Sequence, residues 1–291
     1  MASIAIMNAK GGVGKSTLTM ALAETLSAYH GKRILLIDSD GQMSLSVMMM
    51  AMGRLTGLQN QGRTISDYLR SLLPGNREID WRACVASDAG DVYDAESISL
   101  IAGDMDLTVV EQDLVEARLK AHMRERCRSL LRDAAQEFDL VLVDCAPGIS
   151  MLTECWLREC DWHLIPVRPD VLAVSGFQYL RNFKNRTPDA PFARLLGMLV
   201  NMKQATGSDD TIHDLLLANR DMACFARAVP LIQHIQKSAL CSAEERSFHN
   251  KYPGDAGHAL RAITAEILER VSNGNEAQDG VGHKPKLSLV A

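Results

Sequence analysis

The sequence predicts an α/β fold, a doubly wound, mainly parallel sheet with helices on both faces. Three observations carry this expectation. Short apolar runs alternate with stretches of helical periodicity along most of the 291 residues. The apolar runs are continuous rather than alternating, the pattern of strands buried on both faces. A glycine-rich turn, Asp38 and Asp144 each follow such a run. That places three ligand-competent features at the carboxyl edge of the sheet, where open α/β sheets bind ligands.

The first run, residues 3–7, leads into Asn8-Ala9-Lys10-Gly11-Gly12-Val13-Gly14-Lys15-Ser16-Thr17. Glycines let backbone N–H groups close around a polyphosphate. A helix over 16–28 would add the positive end of its dipole. Lys15 is placed to reach β- and γ-phosphates, and the Ser16 hydroxyl to bind Mg2+. Lys10 is a second lysine inside the loop. One lysine suffices to hold a nucleotide, so Lys10 needs a separate explanation.

The second run, 33–37, ends on Asp38, with Asp40 two residues on. Residues 53–94 are rich in Gly, Asp and Arg and read as surface helices and loops within the same domain. A third strand is expected over 98–102 and one long helix over 113–136. The fourth run, 140–143, ends on Asp144. A fifth strand over 163–167, a helix over 175–184 and a sixth strand over 195–200 follow, the last ending before Asn201. A helix over 257–271 closes the periodic part. Residues 1–271 therefore read as one domain, and the polar, glycine-rich 272–291 as a disordered tail.

The chain is 47% hydrophobic and 23% charged, ample for one large core. No apolar stretch approaches the roughly 20 residues that span a bilayer, and the start lacks a signal-peptide layout. The seven cysteines form no C-x-x-C pair and read as reduced thiols. Cytoplasm is the expected compartment. A net charge of −5 argues against a wholly basic nucleic-acid coat but leaves room for a local basic patch.

The loop departs from the strict G-x-x-x-x-G-K-[ST] pattern, because Ala9 stands at the first glycine. What remains, x-K-G-G-x-G-K-[ST], resembles the deviant Walker A box of the ParA/MinD ATPases, P-loop NTPases of this fold class. The resemblance implies that Lys10 crosses a dimer interface to the partner's ATP. It implies nucleotide contacts from Lys10, Gly11, Gly12, Val13, Gly14, Lys15, Ser16 and Thr17. Asp38-Ser39-Asp40-Gly41-Gln42 resembles the family's D-x-D-P-Q segment, with Gly41 for proline. It implies that Asp40 positions the attacking water and that Asp38 lies near Mg2+. The glycine is expected to loosen this switch loop. Residues 138–144 have the form of a Walker B strand, with Asp144 and Ser16 at the metal. Cys145-Ala146-Pro147-Gly148 resembles D-x-P-P, with Ala146 for the first proline. In relatives an asparagine at Asn201 bonds adenine, and the loop from Val229-Pro230 through Lys237-Ser238-Ala239 closes over the base. Residues 100–107 with Glu111, and 165–169 before Phe177 and Leu180, are also similar, so the resemblance runs with gaps from 2 to about 271.

The family reading is closest to ParA partition ATPases without a preceding helix-turn-helix. It implies an ATP-bound homodimer, non-specific DNA binding with nucleoid association, and slow hydrolysis stimulated by a ParB-like or cargo-adaptor protein. Candidate DNA contacts are Lys203, Arg220, Arg227, Lys237 and Lys251. Lys120, Arg124, Arg128 and Arg132 form an i, i+4 cationic stripe, more often a solvated face than a phosphate site. Cys155 and Cys160 raise the iron–sulfur branch of the family, against which stands their place on an expected helix. Membrane attachment through the C-terminus is not expected, because 283–291 holds a proline and few apolar residues. The alternatives are a cargo-positioning ATPase working on a protein scaffold or membrane surface, or a metal-cluster carrier of the same fold.

Overall fold

The computed structural model describes residues 1–231, 241–242 and 244–279. Seven strands form one sheet in the order β3-β4-β2-β5-β1-β6-β7. They are β1 (Ala2–Ile6), β2 (Ile34–Ser39), β3 (Val85–Ala86), β4 (Ile98–Ile101), β5 (Leu140–Cys145), β6 (Trp162–Val167) and β7 (Arg194–Val200). All neighbours are parallel except β3 on β4. The six expected strands are present. The two-residue β3, inside the stretch read as helices and loops, is too short to leave a periodic signal.

The helices fall on two faces. On one, α1 (Lys15–His30), α2 (Ser44–Met49), α3 (Met52–Asn60), α10 (Phe248–Lys251) and α11 (Asp255–Asp279) cover Ile4, Ile6, Leu36 and Leu142. On the other, α4 (Ile65–Arg70), α5 (Leu107–Glu116), α6 (Lys120–Ala134), α7 (Met151–Glu159) and α8 (Ala173–Asn185) cover Ala5, Met7, Leu35 and Val143. Helix α9 (Gly207–Ala218) follows β7. Successive residues of each strand thus feed opposite cores, which is why the strands are apolar throughout. Helix α1 stops where Gly31 turns left-handed (φ 58°), its N–H capping the Ser27 carbonyl and the next N–H, of Lys32, capping Leu26.

Three expectations are corrected. The single helix over 113–136 is two, α5 and α6, broken where Arg118 turns left-handed (φ 58°). The break turns the basic stripe of α6 onto α7. Lys120 pairs with Glu154, and Arg124 and Arg128 both pair with Glu159, which is 7% exposed. Arg132 pairs with Asp133, so the stripe is a partly exposed row of paired cations rather than a free phosphate-binding face. Residues 272–279 are helical, continuing α11, and the Gly274 carbonyl accepts a 2.7 Å bond from Arg194. Composition alone conceals such an anchor. Strands β2 and β5 run through Asp38 and Asp144 rather than stopping before them, and the register sets these two residues side by side.

Candidate functional site

The loop between β1 and α1 opens a cleft of about 560 Å³, lined by Gly12, Gly14, Lys15, Ser16, Thr17, Asp40, Gln42 and Pro147, among others. Gly14 is fixed twice over. Its φ is 79°, and a Cβ there would lie 2.6 Å from Asn201 Nδ2. Asn201 is buried, donates to the Val13 carbonyl at 2.8 Å and accepts the Met202 N–H at 3.0 Å. Its described contacts hold the phosphate loop, a task the expected adenine contact did not foresee. Lys15 is 7% exposed at the head of α1. Thr17 lies beside Met48.

Asp144 is fully buried, and among the described residues neither carboxylate oxygen has a hydrogen-bond partner within ordinary geometry. Burial pushes its pKa well up, and the neighbouring Asp38 adds to the rise. Ser16 and Lys15 oppose it. A buried carboxylate without a partner is costly. A hard divalent cation beside a serine hydroxyl would relieve that cost, so these residues fit Mg2+.

Asp38 is differently occupied. Ser46 donates to its Oδ2 from both the hydroxyl (2.6 Å) and the backbone (2.8 Å), and the Asp40 N–H reaches Oδ1 at 3.3 Å. Burial raises its pKa to about 6, with the Ser46 bonds opposing. Ser46 also accepts the Gly103 N–H at 2.9 Å, so Asp38 ties β2, α2 and the end of β4 together. It stands next to the metal-competent oxygens while its own are engaged by the protein. Asp40 faces the cleft, with Oδ1 accepting the Gln42 N–H at 3.0 Å. Gly41 sits where α5 comes close. A Cβ there would sit 2.8 Å from Thr108 Oγ1, so glycine lets α5 pack directly on the loop.

Lys10 is not among the residues lining the cleft. Its ammonium lies 2.7 Å from Asp170 Oδ2, and its N–H donates to Asn8 Oδ1 at 2.9 Å. Sequence reasoning missed Asn8, Ser46 and Asp170 as partners. The signal for Asp170 was an acidic residue just past β6, at the same edge as Asp38 and Asp144. Glu111 accepts the Leu152 N–H at 2.8 Å and so steadies the start of α7, behind Pro147.

The DNA candidates divide. Lys203 pairs with Asp210 and shares with Arg227 and Pro230 the lining of a surface cavity of about 690 Å³. Arg220 and Arg227 are exposed. Lys237, with Ser238 and Ala239, lies outside the described residues. Lys251 is withdrawn as a DNA contact. It is fully buried and neutralised by Glu24 and Asp91, 2.7 Å from each. Cys155 and Cys160 are buried in the core, so the iron–sulfur reading lacks the exposed thiols it needs. Among the described residues, no helix is long and apolar enough to cross a membrane.

An AAA domain family model matches residues 1–190. A ParA family protein of Chlamydia muridarum is 28% identical over 212 residues, 72% of this chain and 75% of its own. Cobyrinic acid a,c-diamide synthase from Mycobacterium smegmatis, solved with ADP and magnesium, superposes with a TM-score of 0.72. It is 20% identical and covers 94% of this chain and 96% of its own. The ParA of pNOB8, solved on nonspecific DNA, gives a TM-score of 0.64 at 21% identity, covering 94% and 99%. A glycine loop after β1, a buried lysine heading α1 and a buried aspartate near the carboxyl end of β5 define a P-loop nucleoside triphosphatase. The chain belongs to the AAA domain family, as a ParA-type P-loop ATPase.

Proposed function

We propose that this protein is an ATP-driven dimerisation switch that partitions DNA, or positions another cargo, and grips DNA without sequence preference when ATP-bound. One observation carries the reading. The loop holds two lysines, and only Lys15 faces its own cleft. A lysine that contacts nucleotide only from a second copy gives ATP a differential affinity for the dimer, which any ligand-driven switch requires.

The cofactors are ATP and Mg2+. Loop N–H groups and Lys15 would cradle the phosphates, with Ser16 and Asp144 holding the cation. The bound cation supplies charge neutralisation on the phosphate oxygens. Asp40 orients the attacking water, since phosphoryl transfer depends on positioning and charge more than on a strong base. Hydrolysis yields ADP and phosphate, removes the charge that draws the second copy, and resets the monomer. A ParB-like or adaptor protein would accelerate this step. The pNOB8 ParA on nonspecific DNA supports the DNA reading, as do exposed Arg220 and Arg227. In a cell, the ATP dimer would then associate with the nucleoid.

The test is molar mass by light scattering with ADP and with ATP, on Asp40→Ala to hold ATP unhydrolysed, with Lys10→Ala added to that background. The reading expects a dimer only with ATP, lost in the Lys10 variant and retained on DNA. A monomer with either nucleotide, or a dimer indifferent to nucleotide, overturns it. An ATP dimer that ignores DNA would move the cargo surface to a protein scaffold or membrane.

A further inference from the structure

Lys10 is held from two directions, by Asp170 just past β6 and by Asn8 of its own loop. Its ammonium meets Asp170 at 2.7 Å, with the two side chains 44% and 37% exposed. Its backbone N–H is accepted by Asn8, whose amide donates to the Pro166 carbonyl at 2.7 Å. Asn8 is wedged against α8, since a Cβ on Gly176 would come within 2.6 Å of Asn8 Oδ1. Asp170 is itself oriented. Its Oδ1 accepts the Leu172 N–H at 2.9 Å, which leaves Oδ2 for the lysine. The next residues, Val171 and Leu172, are 90% and 54% exposed, so the pair lies on an open face that another molecule can reach.

We propose that Asp170 is a latch for Lys10, a positioning residue whose carboxylate competes with the nucleotide of a second copy and sets how much ATP-bound protein is needed to dimerise. This rests on the dimer reading above. The physical basis is exchange of counter-ions. Lysine is a compact point charge on a flexible stem, so it can leave one anion for another. With one carboxylate as partner it stays outside its own cleft. A triphosphate presented by a second copy carries more charge and takes it over. Exposed pairs are weak, so the latch biases the equilibrium without blocking it. Each releases for about a 1.4- to fivefold shift. A symmetric dimer releases two, so the combined effect is about two- to 25-fold.

Asp170→Asn tests this, because the amide oxygen can still accept the Leu172 N–H while the charge is gone. In the Asp40→Ala background with ATP, the protein concentration at half-dimerisation should fall by about two- to 25-fold. Asp170→Glu, which keeps the charge, should stay near the parent. A second readout separates the latch from a general loss of negative charge. In nucleotide-free protein, acylation of Lys10 followed by mass spectrometry should speed up several-fold in Asp170→Asn relative to Lys184 in the same sample. An unchanged or raised midpoint, or unchanged Lys10 reactivity, overturns the latch. If ATP dimers form and Lys10→Ala abolishes them while Asp170→Asn does nothing, the latch falls and the switch stands. If ATP forms no dimer, or Lys10→Ala dimerises normally, the switch falls and the latch with it.

Discussion

At Lys251 a buried cation is shared between two carboxylates from distant parts of the chain. Glu24 comes from α1 and Asp91 from the segment before β4. Tyr252 donates to the far oxygen of Glu24 at 2.6 Å, and Arg246 to Asp91 at 2.6 Å. Burial pushes the Glu24 carboxyl up, and Lys251 and Tyr252 offset only part of that. Burial also pushes Asp91 up, but Lys251, Ser242 and Arg246 outweigh it and leave this carboxyl below its ordinary range. Such a cluster adds little net stability while intact, yet removing one member strands the others. Lys251→Ala should therefore cost about 3–5 kcal/mol in urea unfolding. Under the proposed DNA reading, residual folded protein should retain DNA per mole as the parent does, because the side chain is fully buried. A variant of normal stability with selectively lost DNA retention would contradict this account.

Strand β6 shows what burial on both faces demands of an element. All six residues are buried, including His163. The imidazole Nδ1 lies 2.9 Å from the Ala193 carbonyl, which makes that nitrogen the donor in the neutral ring. Burial lowers its pKa from 6.5 to about 4, with the Ala193 bond opposing. The unfolded chain takes up a proton that the folded strand resists. Stability is therefore full above about pH 6.5 and is lost as pH falls toward about 4, by up to about 3 kcal/mol. Unfolding free energies at pH 7 and 5 should differ less in His163→Leu than in the parent, and an equal slope would refute the assignment. Element by element, the strands were legible because continuous apolar runs of this length have few other uses. The phosphate loop was legible because its glycines and lysine are adjacent in sequence. The α5–α6 break was not, since apolar periodicity runs on through Arg118. The roles of Asn8, Ser46 and Asp170 were hidden for another reason. Asp170 is 160 residues from Lys10, and only the sheet order brings them together. Lys251 misled because charge suggests exposure, and its two counter-ions lie 160 and 227 residues away.

Over the whole molecule the net charge is −5, so any grip on DNA must be local and strongly screened. Retention of the ATP form should weaken steeply with salt, with a log–log slope near −0.9 per phosphate contacted. Arg227→Ala should reduce that slope by about 1 for each copy bound. A slope near zero, or one unmoved by this substitution, would place the contact elsewhere. The sheet order carries one more consequence, for synthesis. Strand β1 is the first to leave the ribosome, yet its partners are β5 and β6. The second of them emerges about 160 residues later, roughly 8–30 s at ordinary translation rates. Until β5 emerges the glycine loop has no neighbouring strand to hold it, and until β6 emerges it has one on one side alone. The nascent chain thus cannot engage nucleotide until more than half of it exists, and a product terminated before β5 is an apolar fragment for chaperones to meet rather than a half-working enzyme.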